Sequence, residues 1–212
     1  MKVLAVTKTL SRGGSATGAR NTILALQNAG AEVVVLDGDS ARSEAAVSFA
    51  RLAERVYERA LHGSYVHCLR LGPALFNLEE LCERHRPDIV QLFDLSGNTI
   101  SFDQLSRLAA PVVQRLSDFW PYNGPDHYAE SYPERRSAQR WLLERTIYSG
   151  QARPDLLIAP SHWLADRLSV GPTKVIRNAV TPVAGIKSRT GHSTPVRFGF
   201  ISNPVHDPRK GL

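Results

Sequence analysis

Val3-Leu4-Ala5-Val6, then Ser11-Arg12-Gly13-Gly14-Ser15-Ala16-Thr17-Gly18, then Val33-Val34-Val35-Leu36: these three stretches decide the fold class. The first is a short apolar run with β-branched residues, a strand signal. The second is a Gly-rich loop. Between it and the third, Ala19, Ile23 and Leu26 recur at helical spacing and Gly30 supplies a stop. The third run reads as a buried strand ending at Asp37-Gly38. A strand, a helix and a second buried strand form one βαβ unit. Such a helical crossover is what a parallel pair requires.

Outward from this unit the alternation repeats. Glu44–Leu61 places Phe49, Leu52, Ala53, Val56 and Ala60 on one face of an amphipathic helix, and His67–Leu71 follows as a strand. Leu75, Leu78, Leu81 and Cys82 mark a helix stopped by Pro87, before the strand Ile89–Phe93. Ser101 and Gln104 have capping-box spacing for a helix through Leu105 and Leu108. Pro111–Arg115 is the next strand. A helix from about Pro133 to Tyr148, the strand Leu156–Ala159, a helix capped by Ser161 and the strand Lys174–Arg177 complete the series. The pattern predicts an α/β domain: a doubly wound, Rossmann-like parallel sheet of seven strands over residues 1–181. Residues 182–195, rich in Gly, Ser, Thr, Pro and Lys, read as a linker. Val196–Ile201 then reads as an eighth strand, so residues 196–212 are expected to be the truncated start of a second α/β domain.

The 212 residues are 42% hydrophobic and 22% charged, the composition of a globular chain. Cys68 and Cys82 lie too far apart for a CxxC motif, and two thiols alone do not make a metal site, so no metal is expected. The apolar start of the chain is interrupted by Lys8 and is too short for a signal peptide, and no run is long enough to cross a bilayer. A cytoplasmic location is expected. Lys and Arg outnumber Asp and Glu by 26 to 20, a net charge of +6. This favours phosphate-bearing partners, including anionic membrane surfaces contacted peripherally. No RNA-binding or helix-turn-helix pattern accompanies it, so nucleic acid is not an expected partner.

In a doubly wound sheet, ligands sit beyond the C-terminal ends of the strands. That places residues 7–18, 94–98 and 117–128 on the candidate edge. The first of these loops is neither GxGxxG nor a P-loop, since Ala19-Arg20 follows Gly18. What remains is a Gly13-Gly14 pair opening a helix, where exposed amides suit an anion; a ligand-free tight turn is the competing reading. The third loop, Leu116 to Tyr128, holds Phe119, Trp120, Tyr122 and Tyr128 with Asp118, Asp126 and His127. Aromatic faces can stack on sugar C–H groups while carboxylate and imidazole meet hydroxyls. The alternative is that Trp120 and Tyr122 pack under the next helix and Asp118 caps a turn.

Asp118, Trp120, Tyr122, Gly124, His127 and Tyr128 match the pattern H-D-x-W-x-[FY]-x-G-x-x-H-Y of the retaining GT-B glycosyltransferases of family four. The resemblance is greatest to the colanic-acid and other bacterial exopolysaccharide transferases. Asp88–Asn98 is similar to that family's D-I-[IV]-x-L-H-x-x-x-G, Ser161-His162-Trp163-Leu164 to its S-x-W-L junction, and Val175–Val180 to its V-I-x-N-G-[VI]. Asp207–Leu212 resembles the entry to a second, donor-binding domain. Ser117 departs from the pattern, standing where the family has His; Gln91, Phe93 and Ser96 also occupy positions where His is common.

The resemblance implies a metal-independent transferase, without cofactor, that moves a sugar from a nucleotide-diphosphate sugar to a polysaccharide or lipid-linked acceptor. Gly13, Gly14 and Lys210 would then face the donor diphosphate. Ser117 and Asp118 would stand at the reacting centre, and Trp120, His127, Tyr128 and Asn178 would contact substrate. This chain would be the N-terminal, acceptor-side part, inactive in isolation. The rival from another class is a non-catalytic sugar- or nucleotide-binding module of the same fold, to which Ser117 points. An oxidoreductase or epimerase is opposed by the missing GxGxxG, and a nucleic-acid-binding protein rests on charge alone.

Overall fold

The computed structural model describes residues 1–41, 74–96, 99–119, 122, 153–168 and 170–179. The chain divides into two units, Met1–Ala179 and Val180–Leu212, and every described residue belongs to the first. The expected linker and eighth strand, the helices over 44–61 and 133–148, and the strand His67–Leu71 lie outside the described residues.

Among the described residues six strands form one parallel sheet. They are β1 (Lys2–Thr7), β2 (Glu32–Asp37), β3 (Ile89–Leu92), β4 (Val112–Arg115), β5 (Leu156–Ala159) and β6 (Thr173–Val175). Their order is β2-β1-β3-β4-β5-β6. The direction of winding therefore reverses between β1 and β3, which opens a crevice at the C-terminal ends of that pair. All six coincide with expected strands, within the usual uncertainty at their ends.

Period-two alternation sorts side chains onto the two faces. Leu4 and Val6 of β1, Val90 and Leu92 of β3, Val112 of β4, and Leu157 and Ala159 of β5 join Leu78, Phe102, Leu105, Phe119 and Tyr122 in the larger apolar core. Each fully buried Leu or Val there is worth about 1.5–3 kcal/mol. Ala5 and Phe93 point to the opposite face, where they meet Ala19 and Ile23 of helix α1 (Gly14–Asn28). Small residues at 16 and 19, both buried, let this helix approach the sheet closely.

The loops after β1 and β2 touch. Asp37 accepts from Asp39 N and Ser40 Oγ, each at 3.1 Å, and so opens the short helix α2 (Gly38–Ala41). A Cβ on Gly38 would lie 2.7 Å from the carbonyl oxygen of Lys8, so only glycine fits there.

One local expectation fails. Ser101 and Gln104 do not form a capping box on an α-helix; Phe102–Arg107 is a 3₁₀ helix, and Ser101 makes no side-chain cap. Gln104 Oε1 instead accepts from Leu78 N at 2.7 Å, at the start of helix α3 (Leu78–His85). A tertiary partner, an unsatisfied first-turn amide of another helix, takes the side chain that the local pattern assigned to its own turn. The expected Ser161 cap is present: its Oγ accepts from Leu164 N at 3.2 Å, opening α4 (His162–Ala165).

Candidate functional site

Three loops converge at the C-terminal edge. Lys8 N donates to Asp94 O at 2.7 Å, tying the segment after β1 to that after β3. Asp94 is held by its neighbours: Ser96 N and Oγ reach Oδ1 at 3.0 and 2.8 Å, and Ser15 Oγ reaches Oδ2 at 3.4 Å. Lys8 Nζ donates to Ser96 Oγ at 3.0 Å. The switch-point crevice is thus bridged by a polar cluster in which Lys8 and Asp94 both hydrogen-bond Ser96.

Beside that cluster lies a cleft of about 230 Å³, lined by Gly14, Ser15, Gly18, Ala19, Phe93, Arg115, Ser117 and Asn178. Gly13 caps α1 at φ 96°, a backbone region that favours glycine. No side chain caps this helix, which leaves its first-turn amides for another partner. Arg115 enters from the end of β4. Its Nη2 donates to Ile176 O at 3.1 Å and to Asn178 Oδ1 at 2.7 Å, so the guanidinium pins the segment after β6 beside α1. Asn21 Nδ2 donates to Ala179 O at 3.0 Å and holds the same segment from the helix. Arg115 is only 8% exposed, and burial pushes its pKa down from the ordinary arginine value. A guanidinium remains charged regardless.

The expected site residues separate. Gly14, Ser117 and Asn178 line one cleft, with Gly13 at its rim as the cap of α1. Ser117 is exposed; Asp118 is half-buried, has partners of its own and is not among the lining residues. Trp120, His127, Tyr128 and Lys210 lie outside the described residues. Two aromatics of the third loop take the packing role. Phe119 and Tyr122 are each 1% exposed, and the Tyr122 hydroxyl hydrogen-bonds the buried Gln114 Oε1.

Arg115 is the polar lining residue to which motif reading gave no role; Ser15 and Phe93 stood within quoted motifs without an assigned role. The available signal was an arginine closing a short strand that begins Val112-Val113, a costly position for a charge unless the charge is used. A second aromatic was also missed as a surface feature. Trp163 is 49% exposed, its ring 5.2 Å edge-on from Phe119 and 4.7 Å below the Arg167 guanidinium.

A larger cavity, about 400 Å³, lies at the other edge, where Pro87 precedes β3 and Ala110 precedes β4. Its Arg107 is neutralised by Glu79 at 3.1 Å and Asp103 at 2.7 Å. The smaller cleft is the better candidate, because no acid among the described residues pairs with its buried cation and it stands where sheets of this winding bind ligands.

No group of three or more His, Cys, Asp or Glu among the described residues could hold a metal ion, and no helix among them is long and apolar enough to cross a membrane.

No curated protein matches the chain. Among solved structures it is similar to the spinosyn rhamnosyltransferase SpnG, at 16% identity and a TM-score of 0.38, covering 82% of this chain and 49% of that one. The same enzyme complexed with thymidine diphosphate gives 15% identity, a TM-score of 0.38 and the same coverage. The chain thus spans about half the length of these structures. The family model for Glycosyltransferase Family 4 matches residues 12–182, from the Gly-rich loop to just beyond the last described strand. The chain belongs to glycosyltransferase family 4.

Proposed function

We propose that this chain is the acceptor-side, N-terminal part of a GT-B enzyme. In this reading the enzyme moves a sugar, with retention, from a nucleotide-diphosphate sugar to a polysaccharide or lipid-linked acceptor. The observation that carries it is the cleft at the C-terminal edge, where the uncapped start of α1 faces Arg115 and Ser117 within a chain of this family. Departure of the nucleoside diphosphate concentrates negative charge on its phosphates. Fixed donors aimed at that charge are the main catalytic demand of such a reaction. The amides of Gly13 and Gly14 supply donors on this side, and Lys210 supplies a cation from the part that follows. Ser117 in place of the family His removes a titratable base from the cleft lining, so catalysis here rests on electrostatics and positioning.

The acceptor is expected along the third loop, where Trp120, His127 and Tyr128 follow Ser117 and Asp118. The enzyme is proposed to work in the cytoplasm without a metal or organic cofactor, its basic surface meeting anionic membrane where lipid-linked acceptors reside. The test is a transfer assay on the complete reading frame containing this chain, with uridine, guanosine and thymidine diphosphate sugars. Release of nucleoside diphosphate dependent on acceptor supports the reading. Tight donor binding without transfer or hydrolysis would instead favour the non-catalytic module that Ser117 suggests.

A further inference from the structure

Arg115 is buried more than nine-tenths, yet Nε and Nη1 make no hydrogen bond among the described residues and no carboxylate pairs with it there. Its two acceptors, Ile176 O and Asn178 Oδ1, both sit on Nη2. Burying a cation is costly unless the charge meets an opposite charge. Among the described residues, the cleft it lines contains hydrogen-bonding side chains at Ser15, Ser117 and Asn178, and no acid. Asn178, with Oδ1 given to Arg115, has its NH₂ group left to donate. Asp94, which engages Ser15, has both oxygens occupied and is not part of the lining.

The described lining can donate from Arg115, Asn178 and Ser117, Ser15 having given its hydroxyl hydrogen to Asp94, and it carries one positive charge and no carboxylate. It is well suited to an oxyanion, which only accepts. We infer that Arg115, with Asn178 and the first turn of α1, forms a binding site for an oxyanion of the substrate, a phosphate or carboxylate group, and that Arg115 is its principal cation. Both hydrogens of Nη2 are given to Ile176 O and Asn178 Oδ1, so Nε and Nη1 remain to donate to such a group, each by a single charge-assisted N–H bond. The inference rests on the proposed glycosyl-transfer reading for the statement that the oxyanion belongs to a substrate.

The experiment measures pyrophosphate binding to the chain by titration calorimetry at constant ionic strength, with chloride as the balancing ion. Arg115→Gln is expected to weaken binding at least about tenfold, Arg115→Lys by less, and Lys174→Gln, at an exposed position on β6 outside the cleft, by under about twofold. Because Arg115→Gln also loosens the segment after β6, Ser117→Asp is a second arm. It changes only an exposed side chain, sets an acid in the cleft and is expected to cost at least about tenfold. Saturable binding that ignores both changes, or the absence of saturable binding, overturns the inference.

Competition then separates the sources. Displacement by uridine diphosphate assigns the site to the donor, and displacement by glucuronate or glycerol phosphate assigns it to an acidic acceptor. Displacement by none of them removes the substrate assignment. Transfer activity without Arg115-dependent binding sinks this inference alone. Arg115-dependent binding without transfer leaves the site standing and sinks the enzyme reading.

Discussion

Gln114 and Arg115 are neighbours on β4, both polar and both buried, at 2% and 8% exposure. They face opposite sides of one sheet and do different work. Gln114 points into the larger core among Leu116, Phe119 and Tyr122, and its Oε1 is satisfied by the Tyr122 hydroxyl. Arg115 points toward α1, braces the segment after β6 with one nitrogen and lines an open cleft with the rest. The lesson concerns satisfaction rather than burial. A polar group whose hydrogen bonds close within the protein contributes to stability, and one whose donors remain open toward a cleft is available to a ligand.

The comparison breaks most readily at Tyr122. Tyr122→Ala removes a fully buried ring and is expected to cost about 3–5 kcal/mol by chemical denaturation. It should leave pyrophosphate affinity unchanged wherever the protein is folded. Stability near that of the wild type would mean that Tyr122 is not a core residue, and that the third loop retains it for ligand. Next in size is Gly38→Ala, which forces a Cβ to within 2.7 Å of Lys8 O and is expected to cost about 1–3 kcal/mol as overpacking between the two loop tips. A melting temperature unchanged by this substitution would show that those loops can move apart.

Tyr122→Phe sharpens the contrast within β4 itself. It keeps the ring and strands Gln114 Oε1, for an expected loss of about 1–3 kcal/mol. Gly18→Ala works in the other direction. Among the described residues a Cβ there meets only Asn178 Oδ1 at 3.8 Å, so the helix should gain about 0.5–1 kcal/mol while the cleft keeps its lining. Lower stability would place the segment after β6 closer to α1 than that distance allows. The smallest effect is expected at the opposite edge, beside the larger cavity. Burial raises the Cys82 thiol pKa, so less thiolate is present at any pH below it. Alkylation of Cys82 in a Cys68→Ser background should therefore be slower than that of a free cysteine at pH 8, the gap narrowing as pH rises. Reaction faster than free cysteine would mark an activated thiol.

Much of the fold was legible in particular runs. Val3–Val6, Val33–Leu36, Ile89–Phe93, Pro111–Arg115 and Leu156–Ala159 are short apolar runs bounded by turn residues, and a parallel strand covered on both faces requires that composition. The candidate site was legible in part. Gly14, Ser117 and Asn178 announced themselves through loop position and motif, and they share a cleft. Arg115 did not, because a strand-ending arginine reads as an ordinary solvent-facing charge until the segments around it are in place. The capping box at Ser101 and Gln104 misled for a related reason: Leu78 N, 26 residues away in sequence, competes for the same side chain.

By itself, the sequence determined the alternation of strands and helices, the glycine opening of α1 and the family, since these depend on near neighbours in the chain and on ordered motifs. Only the tertiary structure decided that β3 lies between β1 and β4, that Tyr122 closes a hydrogen bond in the core, and that Arg115 reaches past β5 to Asn178. Those outcomes depend on which side chains, tens of residues apart, find their hydrogen-bond partners once the sheet is assembled. A buried group is satisfied or left open by its neighbours in space, and local pattern carries no record of them.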